Sequence, residues 1–144
     1  MRIIDRFSRE HEAFVGALDA LRIAVASGGD VGLAIAAIRT LAEPLLRHAA
    51  NEEVLLFPDL VEKLGGEDGG PVGVLRQEHT IIHGQVDTLR GTPTRADFDR
   101  VFKAFDALLR EHIEKEEEVL FPLSARLLGD ARLAEMDEEI AAGV

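Results

Sequence analysis

Two stretches of the chain share one pattern, from which the fold can be predicted. The first, from His48 to Pro58, reads HAANEEVLLFP, and the second, from His112 to Pro122, reads HIEKEEEVLFP. Each carries a histidine and a glutamate four residues apart, which places both side chains on one face of a helix. Because proline lacks an N–H, the terminal prolines predict either a kink or the end of each helix.

A second pair of matching stretches makes the pattern an internal duplication. Residues 10–16 read EHEAFVG, and residues 78–84 read EHTIIHG. His11 and His79 are 68 residues apart, whereas His48 and His112 are 64 residues apart. Two copies of a helix pair with short connections predict an all-α protein, an up-down antiparallel four-helix bundle.

Glycine and proline residues mark the predicted ends of these helices. Four long helices are expected over about 4–27, 30–64, 71–89 and 94–128, followed by a short acidic helix over about 131–142. No run alternates between apolar and polar residues in the way a strand requires, so no strand is predicted. The length of 144 residues predicts a single domain over residues 1–144.

Composition excludes several classes of protein. The chain has 16 Lys and Arg residues against 27 Asp and Glu residues, a formal net charge of −11. This balance disfavours partners such as nucleic acid and anionic membranes. Cysteine is absent, which excludes disulfides, zinc–thiolate sites and thiol catalysis. The first residues lack the apolar segment of a signal peptide, and no uncharged apolar run reaches the ~18 residues of a membrane helix. A cytoplasmic location is therefore expected.

Histidines and glutamates interrupt the apolar stripes that should face the core of the bundle. A buried carboxylate costs several kcal/mol unless it is paired or bound to metal. Protonated glutamates with hydrogen-bonded histidines would be the alternative, but every group would then need its own partner. Metal ligation satisfies all of these groups together. The predicted ligands are His11, His48, Glu52, His79, His83, His112 and Glu116.

The ligand set predicts the kind of metal. Seven ligands exceed a tetrahedral zinc site, and calcium and magnesium prefer oxygen ligands, so iron or manganese fits best. If both glutamates and a solvent-derived oxo or hydroxo group bridge two ions, then His79, His83 and His112 saturate one ion. His11 and His48 leave one position open on the other ion. This vacancy would accept a small diatomic molecule or peroxide.

With these motifs the chain resembles the hemerythrin-like proteins of the HHE cation-binding type, from about Ile4 to Leu128. The resemblance rests on the two His-x-x-x-Glu motifs that end on phenylalanine and proline, together with His11 and the pair His79 and His83. It implies a cofactor of two iron ions with a bridging oxo or hydroxo group inside a four-helix bundle. The iron that receives oxygen would be the one held by His11.

The resemblance also implies a pocket for the small ligand. Leu109 and Ile113 are placed beside it, and Val15, the repeat counterpart of His83, is expected there as well. Animal oxygen carriers have an aspartate one residue beyond the position of Glu116. A glutamate is typical of the bacterial-type members of the family.

Three functions are compatible with such a centre. The preferred one is binding of dioxygen or a related small oxidant, for storage, delivery or scavenging. Enzymatic turnover of hydrogen peroxide or nitric oxide and oxygen or iron sensing are the alternatives. Ferritin-like chemistry is disfavoured because the sequence contains no Glu-x-x-His pair. Repair of iron–sulfur clusters is disfavoured because relatives with that role carry a cysteine-bearing N-terminal segment, which this sequence lacks.

Several glutamates lie next to predicted ligands in the sequence. Adjacent helical residues point about 100° apart, so a place on the surface is favoured over a hydrogen bond to a ligand imidazole. This interpretation applies to Glu10, Glu78 and Glu111. A solvated helix face is likewise predicted for Glu114, Glu117 and Glu118.

Overall fold

The computed structural model describes residues 1–68 and 70–143, and these residues form helices without any strand. The elements in chain order are α1 (Ile3–Ala26), α2 (Val31–Asn51), a π-helical turn (Glu52–Leu56), α3 (Phe57–Leu64), α4 (Pro71–Arg90), α5 (Arg95–Lys115), a second π-helical turn (Glu116–Leu120) and α6 (Phe121–Ala141). Helix α2 continues through the first π turn into α3, and α5 continues through the second into α6. The described residues therefore make four long helices, which confirms the predicted fold class.

The helix ends follow from local side chains. The Asp30 carboxylate accepts a hydrogen bond from the Gly32 N–H at 2.8 Å and caps α2. Thr94 Oγ1 accepts from the Asp97 N–H at 3.2 Å and caps α5. Gly129 adopts a φ of 78° and a ψ of 162° inside α6. This non-helical conformation with its positive φ separates the predicted short C-terminal helix from the rest of α6.

Helices α1 and α4 bury the same stripe of the duplicated sequence. Inward positions recur at alternating spacings of three and four residues, the pattern of a helix with one apolar face. On α1 they are Ile4, Phe7, His11, Phe14, Leu18 and Leu21, and on α4 they are Val72, Leu75, His79, Ile82, Val86 and Leu89. One histidine of each helix thus occupies a core position.

Apolar side chains fill the bundle in two clusters, one including Phe14 and Leu109, the other including Phe7 and Leu120. On α1, His11 lies between Phe7 and Phe14, so it belongs to a polar layer between the clusters. This layer contains the site described below. Within residues 1–68 and 70–143, no helix combines the length and the apolar character needed to span a bilayer.

Candidate metal centre

Six of the seven predicted ligands meet in the polar layer of the bundle. Each long helix supplies one imidazole, and each π turn supplies one carboxylate at its first residue. All six side chains are buried, and both carboxylates belong to residues that are 0% exposed. The six are His11, His48, Glu52, His79, His112 and Glu116.

Glu52 lies between imidazoles from both halves of the duplicated sequence. Its Oε1 atom is 3.2 Å from His48 Nε2 and 3.3 Å from His79 Nε2. A carboxylate in this position can serve two neighbouring cations at once.

Glu116 has the corresponding position on the other side of the layer. Its Oε1 atom is 2.9 Å from His11 Nε2, 3.6 Å from His112 Nε2 and 3.8 Å from His48 Nε2. Potential ligand atoms within 4.8 Å of one another therefore form two groups that share Glu116. One group contains Glu52, His79, His112 and Glu116, and the other contains His11, His48 and Glu116.

The imidazoles repeat one arrangement. The ring centroids of His11 and His48 are 4.8 Å apart with planes inclined by 50°, and the same values hold for His79 and His112. A phenylalanine ring stacks on one imidazole of each pair at a centroid distance of 5.4 or 5.6 Å. The sequence duplication thus produces a centre with approximate twofold symmetry.

Unpartnered atoms show that these side chains fit a metal. His48 Nε2, His79 Nε2, both carboxylate oxygens of Glu52 and one of Glu116 are buried without a hydrogen-bond partner among the described residues. Each such group costs about 1–3 kcal/mol when it is left unsatisfied. Divalent cations coordinated by these atoms would remove that cost, and a mixed set of imidazoles and carboxylates suits iron or manganese.

The Glu52 carboxylate holds negative charge in the buried interior of the bundle. Burial acts to raise the pKa of Glu52, but the His48 imidazole and the neighbouring polar groups outweigh it and hold the pKa far below its usual value. Burial acts to lower the pKa of His48, and the carboxylates around it raise this pKa well above the ordinary value instead. The ionised Glu52 carboxylate thus requires nearby positive charge, which either protons on imidazoles or bound cations supply.

The π turns position the two carboxylates. The Phe57 N–H donates to the Glu52 carbonyl and the Phe121 N–H to the Glu116 carbonyl, five residues earlier in each case. Pro58 follows the first turn and has no N–H, so it cannot make the regular bond to the residue four positions back. The prolines therefore cause wider turns in continuous helices, and such turns are common at functional sites.

Three outer carboxylates bind the far nitrogens of the imidazoles, where the sequence favoured places on the surface. Glu10 Oε1 lies 2.7 Å from His48 Nδ1, and Glu78 Oε1 lies 2.9 Å from His112 Nδ1. Glu117 Oε1 lies 2.8 Å from His11 Nδ1. The surface interpretation was wrong for these three because the partner of each glutamate is on another helix. It holds for the exposed residues Glu111, Glu114 and Glu118.

His83 is the predicted ligand that the structure leaves outside the cluster. Its side chain is 58% exposed, and its Nε2 atom lies 3.7 Å from Asp87 Oδ2. The inward position one turn after His79 belongs to Ile82, because the buried stripe of α4 steps by three residues there and not by four. The structure thus differs from the predicted set of seven ligands at this position.

We expect His83→Val to keep the full metal content, because its side chain lies on the exposed face of α4. His79→Val, the matched variant one turn earlier, should lose metal because His79 Nε2 lies 3.3 Å from Glu52 Oε1. Elemental analysis of both purified variants checks this expectation. If the metal content of His83→Val were lower than that of the unmodified protein, His83 would be a metal ligand after all.

A small cavity of about 20 Å³ lies against the imidazoles, which is room for about one molecule the size of water. Its apolar lining includes Phe14 and Ile82 together with Leu109 and Ile113, the two residues that the family resemblance places beside a ligand pocket. Val15 is only half-buried and does not line this cavity. The same three-residue step that selects Ile82 on α4 selects Phe14 on α1.

The fold and the site together define a metal-binding four-helix-bundle protein with a centre of histidine and glutamate side chains. The comparison with protein families agrees, because the hemerythrin HHE cation-binding domain matches residues 2–124. The chain belongs to this family.

Curated relatives are named iron-sulfur cluster repair protein YtfE. The protein from Dickeya chrysanthemi strain Ech1591 is 30% identical over 96 residues, which are 58% of this chain and 43% of the relative. The protein from Yersinia pestis strain Pestoides F is 32% identical over 107 residues, 66% of this chain and 48% of the relative. This chain thus matches about half the length of these relatives. No solved structure matches the chain.

Proposed function

We propose that this protein is a non-haem di-iron protein that binds dioxygen or a related small oxidant at an open iron position. The observation that carries the proposal is the apolar cavity of about 20 Å³, because four imidazoles of the metal centre form part of its wall. When bound, iron supplies the open coordination position and the electrons that a small oxidant requires. The bridging oxo or hydroxo group expected from the family resemblance is part of this proposal.

The side chains of the centre divide into two sets, each of which would hold one metal ion. His79 and His112 would hold one ion, and His11 and His48 would hold the other. The Glu52 carboxylate approaches imidazoles of both sets, which supports its role as a bridge. Because His83 lies outside the cluster, each set contributes two imidazoles. The proposed open position therefore does not require one ion to have more histidine ligands than the other.

The cavity wall selects the ligand. Leu45, Leu109 and Ile113 present only hydrocarbon to its interior. A small apolar molecule loses little on leaving water for such a space, whereas a charged or hydroxyl-bearing solute loses its hydration. Dioxygen and nitric oxide meet this condition, and hydrogen peroxide would need the imidazoles in the wall as hydrogen-bond partners.

Stopped-flow absorption tests the proposal. We expect the reduced, iron-loaded protein to develop a long-lived visible band when it is mixed with air. Rapid oxygen evolution after mixing with peroxide would instead favour an enzyme, and rapid consumption of nitric oxide would favour turnover of that gas. A spectrum that responds to none of the three would contradict the proposed ligand class.

A variant that fills the cavity sharpens this experiment. Ala49 lines the cavity, and its repeat counterpart is the larger Ile113. We expect Ala49→Ile to weaken ligand binding by about tenfold or more, which corresponds to about 1.4 kcal/mol, while metal content stays unchanged. Ala36→Ile, on the exposed face of α2, is the matched control.

Repair of iron–sulfur clusters is the second candidate function, and the printed name of the curated relatives favours it. Its test is recovery of cluster absorption in a peroxide-damaged iron–sulfur enzyme after incubation with the iron-loaded protein and a sulfide source. Glu52→Ala is the control without a complete metal centre. A cytoplasmic location remains a prediction from the sequence.

A further inference from the structure

In the first half of the centre, His11 and His48 contact carboxylates that have no direct lysine or arginine partner among the described residues. Glu10 accepts from His48 at 2.7 Å and Glu117 from His11 at 2.8 Å. The neutral Ser8 hydroxyl donates to the second oxygen of Glu117 at 2.9 Å. Among the described residues, no lysine or arginine nitrogen lies within 4.0 Å of either carboxylate. The Arg6 guanidinium, one helical turn before Glu10, binds Asp137 at 2.6 Å and acts on Glu10 only at longer range. The charge of both carboxylates therefore acts mainly on the imidazoles.

The second half, His79 and His112, differs first at Glu78. This carboxylate lies 2.9 Å from His112 Nδ1, as its repeat counterpart Glu10 lies against His48. Its other oxygen, however, lies 2.5 Å from the ammonium group of Lys115. The lysine neutralises part of the charge that would otherwise act on His112.

The second half also differs at Glu53, the counterpart of Glu117. Glu53 lies 3.7 Å from His79 Nδ1, and this nitrogen has no hydrogen-bond partner among the described residues. The Arg76 guanidinium binds Glu53 at 3.2 Å and Glu67 at 2.8 Å. It also lies over the Phe57 ring, 5.4 Å from the centroid. These contacts hold the arginine in place and keep the Glu53 carboxylate away from His79.

Both differences arise at positions where the duplicated sequence has diverged. Arg76 is the repeat counterpart of Ser8, at the same 68-residue offset as the first pair of histidines. Lys115 is the counterpart of Asn51, at the 64-residue offset of the second pair. The second copy thus has a cation where the first copy has a neutral residue at two positions, each beside a carboxylate that faces a histidine of the centre.

We propose that Arg76 and Lys115 make the two metal positions unequal, so that the His11–His48 position binds its cation more tightly than the His79–His112 position. A carboxylate that accepts from the far nitrogen of an imidazole makes that imidazole a more basic ligand. A cation on the carboxylate weakens this effect, and a longer distance removes it. Arg76 and Lys115 are positioning residues, because they act through Glu53 and Glu78.

The inference rests on the proposed two-metal centre but not on its chemistry with oxidants, so a redox-stable probe tests it separately. Metal-free protein is titrated with Co²⁺ alone under nitrogen, by calorimetry and visible absorption. We expect two binding steps whose dissociation constants differ by about tenfold or more, since removing such outer partners changes metal affinity by about 10–100-fold. The double variant Arg76→Ser/Lys115→Asn should strengthen the weaker step by about tenfold and bring the two steps together.

Reciprocal and conservative variants separate this effect from simple damage to the fold. Ser8→Arg should weaken the tighter step, because it brings a cation to Glu117. Arg76→Lys keeps the charge and should keep two separate steps. Arg100→Ser and Lys103→Asn remove the same charges from exposed positions on α5 and should change neither step.

Each outcome of the titration has a defined meaning. Two equal Co²⁺ steps in the unmodified protein, or two unequal steps that persist in the double variant, would overturn the inference and leave the two-metal centre intact. A stoichiometry of one or zero would overturn the proposed centre and the inference with it. Merged steps in the double variant together with a weakened step in Ser8→Arg would establish the inference.

Discussion

Substitution of Glu52 by alanine is expected to remove both metal ions from the chain. The reason is geometric, because Glu52 Oε1 lies 3.2 Å from His48 Nε2 and 3.3 Å from His79 Nε2. These imidazoles belong to different halves of the centre, so loss of the carboxylate removes a ligand from each position. Elemental analysis should show iron falling from about two ions per chain to about zero, since a bridging ligand serves both metals.

Two comparisons make the Glu52→Ala result specific. Glu114→Ala removes the same side chain from an exposed position on α5 and should keep the full iron content. Circular dichroism of the Glu52→Ala protein shows whether the helices are intact. If an intact Glu52→Ala bundle retained one ion per chain, Glu52 would serve a single position and could not be a bridge.

Removal of metal from the unmodified protein is expected to lower the free energy of unfolding by several kcal/mol. Without cations, buried atoms of His48, Glu52, His79 and Glu116 lack hydrogen-bond partners among the described residues. Each unsatisfied group costs about 1–3 kcal/mol, and the whole stability of a domain is only about 5–15 kcal/mol. At about 2–4 °C per kcal/mol for a chain near this size, the midpoint of thermal unfolding should fall by on the order of 10 °C.

Thermal unfolding with and without a chelator measures this difference. Returning Fe²⁺ under nitrogen should restore the original midpoint, because a ligand that binds only the folded state stabilises it by mass action. The chelator should not shift the midpoint of Glu52→Ala, which has no metal to lose. Equal midpoints for the loaded and the metal-free protein would mean that the buried polar layer is satisfied without metal.

The fold could be predicted from the sequence because its signals are local. Glycines and prolines mark the helix ends, and the apolar stripes mark the faces that pack. The duplication of His48 with Glu52 and of His112 with Glu116 then predicts that two polar pairs enter one core. Six of the seven predicted ligands meet in the structure for this reason.

The position of His83 could not be predicted because a four-residue spacing does not fix the inward face. Residues three and four apart both lie near one face of a helix, and contact with neighbouring helices decides between them. On α4 the bundle buries Ile82 and exposes His83. On α1 it buries Phe14 and leaves Val15 half-buried.

The contacts of Glu10, Glu78 and Glu117 depend on tertiary structure in a different way. Their partners are histidines on other helices, between 34 and 106 residues away in the sequence. Spacing along one helix carries no information about such contacts. The same holds for the contacts of Arg76 with Glu53 and of Lys115 with Glu78, which also join different helical elements.

Four amphipathic helices, their duplication and seven candidate metal ligands could be predicted from residue type and helical period alone. Packing of the helices set which imidazole nitrogen faces which carboxylate, left His83 exposed, and placed Arg76 and Lys115 beside one half of the centre. Those properties depend on the rotation of each helix against its neighbours. Packing of the whole bundle sets that rotation.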